Sequence, residues 1–467
     1  MKYQNNQMTD MKITYIGGGS REWARLFMGD LALDEQMSGK VVLYDVDNEA
    51  AKNNALIANQ ISEKKEAVGK WKYEALRTLA EALTGADFVV ISIQPGTFDA
   101  MESDVHLPER HGIYQSVGDT SGPGGMIRSL RTVPAFVEFA EAIKKYAPNA
   151  WVINYTNPMS MCIKTLYHVF PEIKAFGCCH EVFGTQELLK IMTEEAFGLT
   201  GLTRQDMKIN VLGINHFTWI NKASYQGIDL LPFYRNFVKK NVDKGIKTAK
   251  NLRIHYMDSL HRVKFDLFRK YGFIAAAGDR HLAEFLPADD YLKSPEHVRA
   301  WHFDLTPVQW RKDELVEKEV RSARLVSGEE EVMIEKSGEE GILLIKALCG
   351  LGDWVGNVNI PNTAKQMNQL PAQAIVETNA FFERDSIRPI FAGEVSEAVL
   401  RLIEPHVDNH ERILKAALSC DRALVVEAFA HDPLSKDKLT DGEREILVDD
   451  MIRNTLSYLP EAWQGQV

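Results

Sequence analysis

The chain has 467 residues, with 54 Lys+Arg against 65 Asp+Glu and a formal net charge of −11. Its 45% hydrophobic and 25% charged residues are ordinary globular usage, which excludes a disordered or fibrous polymer, and the length allows roughly two or three domains. Net acidity argues against a nucleic-acid partner, because phosphate binding needs a concentrated positive field.

The N-terminal stretch MKYQNNQMTDMKITYIGGG carries no apolar h-region and is not a secretory signal. No run reaches the roughly 18 apolar residues of a membrane span. The five cysteines, at positions 162, 178, 179, 349 and 420, suggest no disulfide framework. Reduced thiols in a cytoplasm are the simpler reading. Residues 1–10 read as a polar, frayed extension.

From Lys12 to about Phe197, short β-branched runs alternate with helical stretches: KITYIGG, VVLYDVD, FVVISIQPG, AWVINYTNP and IKAFGCCH. Runs apolar on both faces and separated by helices describe a mostly parallel sheet with its strand C-termini along one edge. After about residue 200 the pattern changes. KINVLGINHFTWINKASY predicts two antiparallel strands, and a long helical stretch follows from Leu230 to about Tyr271. Its Lys239, Lys240, Lys244, Lys247, Lys250 and Arg253 read as a solvated face. Residues 372–391 alternate like strands, and 394–430 read as one or two amphipathic helices. The expected fold class is α/β. A Rossmann-like dinucleotide-binding domain with a mostly parallel sheet spans 11–200, and an α+β domain for substrate, metal and oligomerisation spans 201–467.

Gly17, Gly18, Gly19 and Ser20 follow the first strand and open a helix at about Arg21. Glycines there let the backbone turn tightly against a pyrophosphate, which the helix N-terminus stabilises. The run departs from G-x-G-x-x-G, because Glu22 stands at the third glycine's place. Asp45, at the end of the next strand, suits a ribose hydroxyl and favours NAD over NADP. Capping of the next helix by Asp45 or Asp47 is the plainer reading.

Further segments carry candidate chemistry. Gly118-Asp119-Thr120-Ser121-Gly122-Pro123-Gly124-Gly125 is a loop that can wrap a polar ligand, followed by Arg128 and Arg131 on a helix of one to two turns. Asn154-Tyr155-Thr156-Asn157-Pro158 and Cys178-Cys179-His180-Glu181-Val182 both end strands. Gly213-Ile214-Asn215-His216-Phe217-Thr218-Trp219 lies in the hairpin region. A thiol and imidazoles on adjoining loops can bind a metal, zinc by default, or form a nucleophile pair; a buried inert Cys179 and a packed His216 explain the same residues. In Gly278-Asp279-Arg280-His281, Asp279 is either a general base or a helix cap.

Taken in this order, GDTSGPGG…RTVP, NYTNP, CHEV and GINHFTW resemble glycoside hydrolase family 4, the NAD-dependent glycosidases, across essentially the whole chain. The resemblance implies a dinucleotide domain similar to those of lactate and malate dehydrogenases, and a divalent metal, usually Mn²⁺, held by Cys179 and His216. Thiolate is an unexpected ligand for so hard an ion. It also implies a redox-neutral hydrolysis. NAD⁺ takes hydride from sugar C3, the metal polarises the ketone, a base removes the C2 proton, and the glycosidic oxygen leaves. Water then adds at C1 and the hydride returns. Asp279 is taken as the C2 base. Asp119 serves sugar hydroxyls or proton transfer, Asn154 the nicotinamide–sugar junction, and His180 a place beside the metal. Arg131 contacts substrate or anchors the loop.

Within that family, His after the metal-binding Cys marks enzymes for unphosphorylated sugars, and CHEV resembles the α-galacturonidase subgroup, acting on α-linked galacturonic acid oligomers from pectin. The uronate carboxylate needs a cationic partner, for which Arg128, Arg131 and Arg280 are candidates. Glu181 is expected to face a hydroxyl or an Arg. The alternatives are an α-galactosidase or α-glucosidase of the same family, an NAD-dependent 2-hydroxy-acid dehydrogenase, and an idle sugar- or NAD-sensing module. A homodimer or homotetramer is expected.

Overall fold

The computed structural model describes residues 1–248, 256 and 259–467. Its strands in chain order are β1 Lys2–Gln4, β2 Gln7–Ile16, β3 Met37–Tyr44, β4 Lys70–Ala75, β5 Phe88–Ile91, β6 Trp151–Asn154 and β7 Lys174–Gly177, then β8 Lys208–Ile214, β9 Phe217–Tyr225, β10 Ile228–Asp229, β11 Ile274–Ala275, β12 Trp354–Pro361, β13 Ile375–Glu383 and β14 Ser386–Pro389.

The larger sheet runs β14-β13-β12-β7-β6-β5-β2-β3-β4, with β1 paired to β2. Strands β2 to β7 are mutually parallel. β5 is buried along its whole length, as a parallel strand covered by helices on both faces must be. Chain order reverses at β2, which lies between β5 and β3, so a crevice for a ligand opens beyond the C-terminal ends of these strands. The fold is therefore α/β with a Rossmann-like core. β12, β13 and β14 extend the same sheet antiparallel beyond β7. β8 to β11 form a second antiparallel sheet, with β8 and β9 joined through Asn215 and His216.

Three expectations change. Residues 1–10 are not a frayed tail, because β1 and the start of β2 form a hairpin. The described residues of the stretch after Leu230 form the helices Leu231–Asn241 and Arg262–Tyr271, with the first ending at Asn241; Lys250 and Arg253 lie outside the described residues. The helix carrying Arg128 and Arg131 starts inside the glycine run and continues for 25 residues, Gly122–Tyr146. The glycines let the preceding loop lie against it: a Cβ on Gly125 would stand 2.4 Å from the carbonyl carbon of Thr120. The helices Glu397–Ser419 and Arg422–His431 then cover it from outside. Among the described residues no helix is long and apolar enough to cross a membrane.

Candidate active site

At the end of β2 the backbone turns at Gly17, whose φ is +92°. A Cβ there would stand 1.9 Å from the Ser92 carbonyl oxygen, so only glycine fits. The turn is closed on itself. Gly17 and Gly18 N–H donate to Tyr44 O, Ser20 N–H donates to Gly17 O, and Gly19 N–H donates to Asp45 Oδ2 at 2.8 Å. The N–H groups left to meet an anion are those opening the helix Trp23–Ala32, apart from Trp23 N–H, which donates to Ser20 Oγ at 3.1 Å. Asp45 thus reaches back to the turn, while Asp47 caps the next helix by accepting from Ala50 N–H at 3.0 Å. Sequence reading missed Asn54, whose buried Nδ2 donates to Gly18 O and Ser20 O at 2.8 Å each. A polar residue on an apolar helix face was its only signal.

Beyond the ends of the neighbouring strands, Asp119, His216 and His281 converge, their ligand atoms all within 4.8 Å of one another. The His216 and His281 ring centroids are 3.9 Å apart. His216 occupies the two-residue turn between β8 and β9 in the left-handed region, at φ +62°. Thr120 Oγ1 donates to Asp119 Oδ1 at 2.7 Å and meets His216 Nδ1 at 2.9 Å. A hydroxyl has one proton, so Oγ1 accepts from His216 Nδ1–H, and Nε2 keeps its lone pair. Burial and the neighbouring His281 lower the His216 pKa to about 3, which keeps the ring neutral. Burial alone would raise Asp119, but His281, Arg128 and His216 draw it well below the usual carboxylate range.

The loop around Asp119 is clamped from the helix Asp279–Glu284. Glu284 accepts from Val117 and Gly118 N–H at 2.5 and 2.9 Å, and burial raises its pKa to about 8. Arg280, expected to bind substrate, donates to Ser116 O at 2.6 Å and to Thr306 Oγ1, so it anchors this loop from below. Arg131 forms a buried two-point ion pair with Asp104 and donates to Pro95 O, so its guanidinium is taken up there and not by the glycine loop.

Cys179 is buried beyond the end of β7 and is not part of the Asp119–His216–His281 group. Burial, Glu377 and Glu181 hold its thiol well above the ordinary value, against donors from the Glu181 backbone and the Asn215 side chain. The same negative field attracts a cation. Glu181 bonds to a backbone N–H and lies among imidazoles, with Arg280 within electrostatic reach. Its Oε2 accepts from Gly278 N–H at 2.8 Å, and its Oε1 lies 3.5 Å from His281 Nε2 and 4.0 Å from His180 Nε2. Burial would raise it, but these imidazoles and that N–H bring it down to about 2. His180 stacks on Trp23, ring centroids 5.7 Å apart, and its Nδ1 lies 3.2 Å from Glu339. It therefore stands between the glycine turn's helix and the polar cluster.

Two residues make bonds other than those expected of them. Asn154 is fully buried, and its amide closes the turn on itself, donating to Thr156 O and accepting from Thr156 N–H. Asn157 is the amide beside Asp119, with Nδ2 3.4 Å from Oδ2. Asp279 is fully buried, and its Oδ1 accepts from Lys264 N–H at 3.1 Å, in the first turn of the helix Arg262–Tyr271. Burial raises its pKa to about 6, opposed by the charge of Lys264 and these N–H groups. Oδ1 thus has the surroundings of a helix cap, while Oδ2 has no hydrogen-bond partner among the described residues. Two residues along, and so on another face of the same helix, His281 meets the cluster instead. Its buried Nδ1 has no hydrogen-bond partner among the described residues.

A family model described as Family 4 glycosyl hydrolase matches residues 12–195, and one for its C-terminal domain matches 211–435. The chain is 61% identical over 464 residues to an alpha-galacturonidase of Lachnoclostridium phytofermentans, covering 99% of this chain and 100% of that protein. A solved structure from Bacillus subtilis, described as a glucosidase, superposes with a TM-score of 0.90 at 52% identity, covering 95% of this chain and 100% of that one. A 6-phospho-alpha-glucosidase from gut microorganisms, solved with NAD and Mn²⁺, shares the fold with a TM-score of 0.80 at 20% identity, covering 97% and 99%.

Proposed function

The chain belongs to glycosyl hydrolase family 4, and from that premise we propose that it cleaves α-linked galacturonides with bound NAD and a divalent ion, Mn²⁺ by preference. The observation that carries this reading is the convergence of Asp119, His216 and His281, with Cys179 nearby, at the crevice that the glycine turn also borders.

The donor set fits a divalent cation. His216 offers Nε2, Asp119 offers an ionised carboxylate oxygen, and Cys179 lies in a negative field that a cation would relieve. Bound NAD and the ion would supply hydride exchange at C3 and polarisation of a sugar oxygen. The residues supply the rest. Thr120 fixes the His216 tautomer. His281 Nδ1 accepts the C2 proton, with Glu181 orienting the ring from Nε2 and stabilising its charge. Asn157 and Asp119 meet sugar hydroxyls. His180, stacked on Trp23, closes the space between nucleotide and sugar. Arg128 and Arg280, both electrostatically coupled to Asp119, supply the positive field for the uronate carboxylate. Arg311 adds charge beside Arg280, and its buried Nε has no partner among the described residues.

The test is turnover of p-nitrophenyl α-galacturonide against the α-galactoside and α-glucoside, with Mn²⁺, NAD⁺ and a thiol present. Preference for the galacturonide without net NADH is expected. Preference for a neutral sugar overturns the substrate, and NADH accumulating with turnover overturns the hydrolytic reading in favour of a dehydrogenase.

A further inference from the structure

Glu377 has no part in the chemistry above. It lies on β13, 1% exposed, opposite Asn359 of β12. Asn359 is the residue through which β12 pairs with Gly177 of β7, just before Cys178 and Cys179. The Glu377 carboxylate accepts from Asn215 Nδ2 at 3.1 Å on Oε2 and from Asn357 Nδ2 at 2.7 Å on Oε1. Asn215 precedes His216, and Asn357 Nδ2 also lies 3.4 Å from the carbonyl oxygen of Cys179. Among the described residues no Lys, Arg or His forms an ion pair with it. A carboxylate buried among neutral amide donors is costly, and an apolar or amide residue would fill the same strand position more cheaply.

We propose that Glu377 is a positioning residue for the metal centre: its two oxygens tie the His216 turn to the end of β7 and set how His216 and Cys179 face each other. The proposal rests on reading Cys179 and His216 as the metal ligands. The turn needs such a tie. Left-handed backbone is costly for a non-glycine residue, and it persists where the surroundings over-determine it. Thr120 holds the His216 ring at Nδ1, and Glu377 holds the preceding residue from the opposite sheet. With one oxygen on Asn215 and the other on Asn357, whose amide also meets the Cys179 carbonyl, the carboxylate works as a spacer between the two segments. A glutamine keeps only one acceptor and must break one of the two ties, and an alanine breaks both.

The experiment titrates Mn²⁺ into the full-length protein with NAD present, read by the paramagnetic resonance of free Mn²⁺, for wild type, Glu377→Gln and Glu377→Ala. A Co²⁺ titration follows the thiolate-to-metal absorption band. Both variants are expected to bind Mn²⁺ about 10- to 100-fold more weakly, Gln less affected than Ala, with a weaker and shifted Co²⁺ band and unchanged NAD affinity. A merely structural role lowers the melting temperature without moving the band. If Glu377→Ala does not fold, Glu377→Gln decides alone. Wild-type Mn²⁺ affinity and Co²⁺ spectrum in folded Glu377→Gln overturn the proposal. Cys179→Ser and His216→Asn run in the same titration. If they lose Mn²⁺ while Glu377→Gln keeps it, only the positioning role falls; if they too bind Mn²⁺ as wild type does, the ligand reading falls and takes the proposal with it.

Discussion

At the nucleotide end, residues 17–20 are consecutive, their N–H groups are bonded to Tyr44, to Asp45 or within the turn, and backbone shape does the work. At the sugar end, Asp119, Cys179, Glu181, His216 and His281 come from segments far apart in the chain. Their charges displace one another's pKa values, His216 sits in a left-handed turn, and His281 Nδ1 is left without a partner. The first region is built once the strand and helix around it form. The second exists only after two sheets and several helices have packed. An anion needs little more than aligned N–H groups, whereas a proton transfer at a metal-polarised centre needs particular atoms within hydrogen-bond reach.

That difference can be broken by mutation. The largest effect is expected for His281→Asn, which should lower kcat by about 10²- to 10⁴-fold, the usual contribution of a general base. It should also abolish incorporation of solvent deuterium at C2 of the product while leaving NAD affinity intact. If Asp279→Asn does this and His281→Asn does not, the base returns to Asp279 and the helix-cap reading fails. Thr120→Val comes next. Without the hydroxyl that orients His216, Mn²⁺ affinity should fall about 10- to 100-fold, measured by metal titration, and an unchanged value would remove Thr120 from the site.

The nucleotide end should answer independently. Asp45→Ala is expected to weaken NAD binding about tenfold, from losing a charge-assisted hydrogen bond of about 1.5 kcal/mol. Mn²⁺ affinity should stay unchanged. Loss of both in one titration would mean that the two regions are coupled more tightly than their construction suggests.

The smallest effect concerns the residue between the two regions. Burial would lower the pKa of His180, but Glu339 carries it from 6.5 up to about 9. A raised histidine contributes stability that is full below its unfolded value and is lost as pH rises through the folded one. The melting temperature of the metal-free protein should therefore drop more on Glu339→Gln at pH 6 than at pH 9.5. Equal drops at both values would show that the pair is not charged in the fold.

Much of the fold could be read along the chain. The runs ending in IGGG, YDVD, NYTNP and FGCCH are the parallel strands β2, β3, β6 and β7, and GINHFTW spans the turn between β8 and β9. Others escaped. β4, KWKYEA, alternates and carries charge because it lies at the sheet's edge. β12 and β13 gave no sign that they would join a sheet begun far earlier, since pairing partners are not encoded locally. Within the site, the motifs supplied segments that the fold brings together, while packing settled which atoms of each segment meet. Asp279 and His281 share one short helix, and Arg128 and Arg131 share the first turns of a 25-residue one; in each case the face of the helix decided which contacts each side chain makes. Asn154 and Asn157 share one turn, and the backbone chose between them.

What the sequence by itself determined was the α/β order of elements, the glycine turn with its acid, and the family signature, because each depends on residues close together in the chain. Only the tertiary structure decided that Arg131 is consumed by Asp104, that Arg280 and Glu284 hold the Asp119 loop, and that Glu377 joins Asn215 to Asn357. Those outcomes depend on burial and on which charges meet across the packed sheets. Neither quantity has a value until distant segments are in contact.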